Sequence, residues 1–186
     1  MNGHFGGGRI RRLVTLSLLA CVSLVIFAVE AAVPPIVPIP GVKPGLANVV
    51  TLFLILAADK RAAASVLIVR IILSAVFAGQ AVSLMYSFAG GLLAFAAMCA
   101  VSALLNGKPV WFISAVGGVF HNIGQLCAAC VIMSGAVLVY LPHLVISGVV
   151  TGVVTGLLTQ IIINKLQRSG LLQKFTAALS GEERER

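Results

Sequence analysis

The chain has 186 residues, of which 60% are hydrophobic and 10% charged, with thirteen Lys and Arg against five Asp and Glu. A mean hydropathy of +1.10 excludes a water-soluble globule, in which roughly 45–50% of residues are apolar. The net charge of +8 is no nucleic-acid footprint, because the basic residues gather at the ends of apolar runs and no basic stripe is interleaved with aromatics. The composition reads as an all-α integral membrane protein.

The segments follow in order. Residues 1–12, MNGHFGGGRIRR, are Gly-rich and basic and are expected to form a tail outside the bilayer. Residues 13–33 exceed the apolar stretch of a signal peptide and lack its small-residue cleavage site, which makes them a retained first helix. Five of the seven prolines fall within residues 34–44, PPIVPIPGVKP. A helix interior cannot hold them, since each removes a backbone donor and clashes with the preceding turn, so a loop is predicted there. Residues 45–58 form a short second helix that ends at Asp59-Lys60-Arg61, residues 62–79 a third, and residues 84–105 a fourth closed by the turn Asn106-Gly107-Lys108-Pro109. Residues 111–140 are longer than one upright span needs, so the fifth segment is tilted, kinked or broken, with Gly117-Gly118 as a weak point. Pro142 opens the sixth helix, which reaches Ile163. The result is a bundle of six transmembrane helices over 13–163, followed by a tail over 164–186 whose start is mildly amphipathic.

Six spans put the N-terminal tail, residues 59–61, residues 106–110 and the C-terminal tail on one side, and that side carries eleven of the thirteen Lys and Arg. The positive-inside rule then sets both termini in the cytoplasm of a multi-pass protein of the cell's inner membrane.

Polar groups within the apolar runs are the candidates for function, because an Arg at a helix centre costs about 2.5–3.5 kcal/mol on insertion scales. Arg70 lies midway along the third span, too deep to reach either surface, and Glu30 is the acidic residue of the apolar runs, its natural partner either in an ion pair that locks the bundle or in a shared cavity. In HNIGQ, His121 and Gln125 are one helical turn apart on one face, with Asn122 about 100° around. These side chains either face a ligand or bond between helices. The segment GVKPGLAN puts Lys43 and Asn48 at the outer mouth, Lys43 being either a ligand contact or a solvated loop charge, and its Pro44-Gly45 joint is placed to open a helix whose free N–H groups attract anions. Gly148, Gly152 and Gly156 repeat every four residues and allow close helix approach, while Gly90 and Gly91 either pack helices or present backbone to a ligand.

The four cysteines all sit in apolar runs, and Cys127-x-x-Cys130 has no second Cys or His pair to complete a zinc site. Metal-dependent diphosphate chemistry needs clustered carboxylates, which one Asp and one intramembrane Glu cannot supply. No Walker A sequence, G-x-S-x-G elbow or H-E-x-x-H helix is present. The expectation is a protein that is not an enzyme, holds no metal or cofactor, and draws any driving energy from a partner.

Taken in order, PGVKPGLAN, LIVRIILS, SFAGG, HNIGQ and the Pro142 helix with SGVVTGVVTG closely resemble the Gx transporter family, whose members are often labelled heptaprenyl diphosphate synthase component I. The resemblance runs from about residue 13 to residue 163. It implies a protein similar to the substrate-capture (S) components of energy-coupling-factor transporters, which have six helices, bind a small molecule and dock on a transmembrane T component with two ATPases. Carried over by motif, the binding positions are Lys43, Gly45, Asn48, Arg70, His121, Asn122 and Gln125, a donor-rich set that favours an anionic or carbonyl-bearing solute. The competing expectation is a non-catalytic membrane scaffold for polyprenyl diphosphate synthesis, in which the same polar groups only lock helices.

Overall fold

A computed structural model describes residues 7–32, 45–79, 81–133 and 135–180. Within them lie seven α-helices: α1 (Gly7–Ala32), α2 (Asn48–Ala57), α3 (Lys60–Ala78), α4 (Ala81–Leu104), α5 (Val110–Met133), α6 (Leu141–Arg168) and α7 (Leu171–Ser180), with a 3-10 turn at Gly135–Tyr140 before α6. Among the described residues four helical stretches are long and apolar enough to cross a membrane: Gly7–Ala32, Ala81–Leu104, Val110–Met133 and Gly135–Arg168. The expected count of six takes α2 and α3 as spans as well. At 1.5 Å per residue, α2 reaches only about 15 Å, half the hydrocarbon thickness.

The packing is that of a membrane bundle. Large apolar side chains point outward, Phe77 being 79% and Val131 80% exposed, as lipid-facing residues are. The interior is gathered around α2, whose residues from Asn48 to Ile55 are all buried because the helix touches α1, α3, α4 and α6. A helix apolar on every side is suited to a buried centre or to a membrane span, and α2 takes the centre. Leu52 and Leu54 meet Met98, Ile113 and Ile163 in one cluster, while Tyr86, Leu126, Ala129 and Leu144 form a second between α4, α5 and α6.

Local chemistry explains the ends. Asp59 caps α3 by accepting from the Ala62 N–H at 2.7 Å, and its other oxygen takes Arg12 of α1 at 3.4 Å. Gly79 ends α3 in the left-handed conformation.

Several features differ from expectation. The helix α1 starts at Gly7, within the stretch expected as a tail, because Arg9, Arg11 and Arg12 extend the helix beyond the apolar core and Arg12 finds Asp59. The long fifth segment does not end at Gly117-Gly118, which lie inside an unbroken α5; that helix ends at Met133, and a 3-10 turn occupies Gly135–Tyr140. A Cβ on Gly117 would strike Met98 of α4 and one on Gly118 would strike the Gly148 carbonyl of α6, so these glycines are packing surfaces. The last long helix continues past Ile163 to Arg168. Finally, α7 is docked: Leu179 is buried and the Phe175 ring stands 5.2 Å from that of Phe53 in α2.

The glycine stripe on α6 meets the expectation of close helix approach. A Cβ on Gly152 would lie 2.6 Å from Ala115 Cα, and one on Gly156 2.6 Å from Trp111 Cα. On the opposite face of α5, a Cβ on Gly124 would lie 2.9 Å from Gly90 Cα in α4. Backbone contact on both sides makes α4, α5 and α6 one tightly packed layer.

Candidate substrate-binding site

Polar side chains from four helices and the start of α2 converge on one buried void. Its walls include Glu30 of α1, Gly45, Arg70 and Ser74 of α3, Ser87 of α4, and His121 and Gln125 of α5. Glu30 is 3%, Arg70 4%, His121 4% and Gln125 2% exposed, so all four are held away from lipid. The four-residue spacing of His121 and Gln125 does put both on the void, as one helical turn requires.

Backbone geometry sets the distances. Gly45 has φ +86°, a conformation that L side chains rarely adopt. A Cβ there would lie 2.9 Å from His121 Cδ2. On the other side of the ring, a Cβ on Gly90 would lie 3.0 Å from His121 Cε1. The imidazole is thus flanked by Gly45 and Gly90. A Cβ on Gly91 would lie 3.6 Å from a terminal nitrogen of Arg70, so the glycine pair of α4 serves the site as well as the packing.

The carboxylate of Glu30 is bound by the chain itself. Its Oε1 accepts from the Gly45 N–H and from the Leu46 N–H at 3.0 Å, two donors of the turn that leads into α2. The free N–H groups expected at this joint therefore hold an internal anion. Glu30 shares the void with Arg70 but does not close on it as an ion pair; among the described residues the ion pair is Arg12–Asp59 at 3.4 Å.

Other expected positions divide. Asn48 is buried beside Gly45, with its Oδ1 lacking a partner among the described residues, as does His121 Nδ1. Asn122 turns away from the void and donates through Nδ2 to the Leu144 carbonyl of α6 at 2.7 Å, the interhelical alternative. Lys43 lies outside the described residues. Ser74 and Phe27 were missed by sequence reasoning, although Ser74 is one turn after Arg70 and Phe27 one turn before Glu30.

The void measures about 20 Å³, enough for about one water molecule. Two larger grooves open on the outer surface. One, of about 500 Å³, is lined by Cys21, Leu24, Ala28 and Phe77 between α1 and α3; the other, of about 330 Å³, by Ile68, Ile72, Leu84 and Phe88 between α3 and α4. Neither brings charged groups together, and grooves so placed suit lipid chains rather than polar chemistry.

Comparison with curated proteins and with solved structures gives no match. A family model described as heptaprenyl diphosphate synthase component I matches residues 19–162, a span that takes in every residue lining the void. The chain therefore belongs to the heptaprenyl diphosphate synthase component I family.

Proposed function

We propose that this protein is a membrane-embedded, S-component-like subunit that captures a small solute for a transporter energised by partner T and ATPase subunits. One observation carries the reading: Glu30, Arg70, His121 and Gln125 come from three separate helices to a single void in an otherwise apolar bundle. Each is costly there, and intramembrane ionisable groups mark substrate pathways more often than they mark stability. A small-molecule site measures about 300–1,000 Å³, so a void of about 20 Å³ corresponds to a closed state that widens to admit its solute. Both termini face the cytoplasm on this reading, and the chain itself performs no catalysis.

The family description and the small void favour a second reading, a non-catalytic membrane partner of a polyprenyl diphosphate synthase. Native mass spectrometry of protein purified gently from its own membrane separates the two. Solute capture expects a bound small molecule that is lost in Arg70→Gln, together with T and ATPase subunits. A soluble synthase bound equally well to wild type and Arg70→Gln, with no small molecule, would replace the first reading by the second.

A further inference from the structure

The turn that leads into α2 presents two backbone donors, Gly45 N–H and Leu46 N–H, to the inside of the bundle, and both are taken by Oε1 of Glu30. Beside them, Arg70 is 4% exposed, lines the same void, and makes no hydrogen bond or ion pair among the described residues. A buried guanidinium with five donors and no hydrogen-bond acceptor among the described residues is an incomplete site, and the Nδ1 of His121 on the same void also lacks a partner among them. The donors and the cation together suit a carboxylate, and the carboxylate present is tethered to the last turn of α1. The void has no room for a second one. A second anion beside Glu30 would also leave uncompensated negative charge in a region of low dielectric.

We propose that Gly45 N–H, Leu46 N–H and Arg70 form a carboxylate-binding subsite of which Glu30 is the resident occupant, and that a carboxylate-bearing solute binds by taking its place. Glu30 is then a built-in competitor: it satisfies the Gly45 and Leu46 donors while the site is empty and yields them when the solute arrives. His121, Ser74, Ser87 and Gln125 surround the exchange and supply contacts to the remainder of the solute. The inference rests on the solute-capture reading for its ligand and adds to it the ligand's charged group and the residue displaced.

The test is rescue by a small carboxylate. Glu30→Ala vacates the subsite, and its Tm in lipid nanodiscs is expected to fall and then to rise by about 3 °C with increasing sodium acetate. Sodium chloride at equal ionic strength is expected to produce no rise, and neither is acetate added to wild type or to Glu30→Ala/Arg70→Gln. Should Glu30→Ala fail to fold, Glu30→Gln serves: its neutral side chain keeps an acceptor for the amides but leaves Arg70 without a nearby anion, and acetate is expected to stabilise it where it does not stabilise wild type. Acetate acting equally with and without Arg70, or acting no differently from chloride, would overturn the subsite. Mass spectrometry of the same preparations separates this failure from failure of the parent reading. A bound solute lost in Arg70→Gln, with no acetate response in either Glu30 variant, overturns the subsite and leaves solute capture standing. Acetate rescue without any bound solute in wild type supports the subsite and counts against capture.

Discussion

Gly118 of α5 and Gly148 of α6 face each other backbone to backbone, each carbonyl lying where the other residue's side chain would begin. Lipid supplies no hydrophobic force to press two helices together, so the seam depends on close contact between atoms. It is continued by Gly152 against Ser114 and Ala115, and by Gly156 against Trp111.

Gly152→Leu is therefore expected to destabilise the protein by about 1–3 kcal/mol, the cost of overpacking a tight interface. Its Cβ alone would lie 2.6 Å from backbone atoms of α5, whereas a Cβ on Gly135 meets nothing within 4 Å. Thermal unfolding in detergent should show a clear loss for Gly152→Leu and none for Gly135→Ala.

Asn122 and Gln125 lie on one helix but face different neighbours. Asn122→Ala removes the bond to the Leu144 carbonyl and should cost about 0.6–1.7 kcal/mol, the range for interhelical hydrogen bonds in membranes, with retention of a co-purified solute unchanged. Gln125→Ala, at the void, should lower retention more than stability. Parallel melting curves and mass spectra of the two variants decide the matter; equal loss of solute in both would break the distinction.

At Gly45 a methyl group meets two obstacles. The φ of +86° penalises a side chain by about 1–2 kcal/mol, and the new Cβ would crowd His121 at 2.9 Å. Gly45→Ala is expected to lower the Tm and to weaken solute retention together, because the ring that must shift is a wall of the void.

Asp59 has two partners of unequal weight. Asp59→Ala removes the cap of α3 and should cost about 1 kcal/mol. Arg12→Ala removes only an ion pair whose side chains are 41% and 45% exposed, and should cost less than about 1 kcal/mol. Added salt should shrink the Arg12 effect and leave most of the Asp59 effect, measured as shifts in Tm.

How far the fold was legible follows from what each signal depends on. The all-helical membrane class rests on hydropathy alone, and the short second helix rests on the prolines before it and the Asp59 turn after it; both are local properties. The break in the fifth segment was misplaced because Gly117 and Gly118 look flexible until Met98 and Gly148 are set against them. The docking of α7 was invisible for a similar reason: Phe175 shows an amphipathic face, but nothing in the local sequence names Phe53 as its neighbour. At the site, the pairing of His121 with Gln125 came from helical geometry and the burial of Arg70 from its depth. That Glu30 binds the amides of Gly45 and Leu46 rather than Arg70 depends on where two chain segments meet, which no spacing reveals.

The glycine seams also apportion motion. With α4, α5 and α6 joined backbone to backbone, sliding any of them drives atoms into collision, so that layer behaves as a fixed frame. The two outer grooves both border α3, which lacks such seams and carries Arg70. Should the void widen to admit a solute, the expected displacement is of α1 and α3 against the wall bearing His121 and Gln125, one side of the candidate site holding its shape while the other travels.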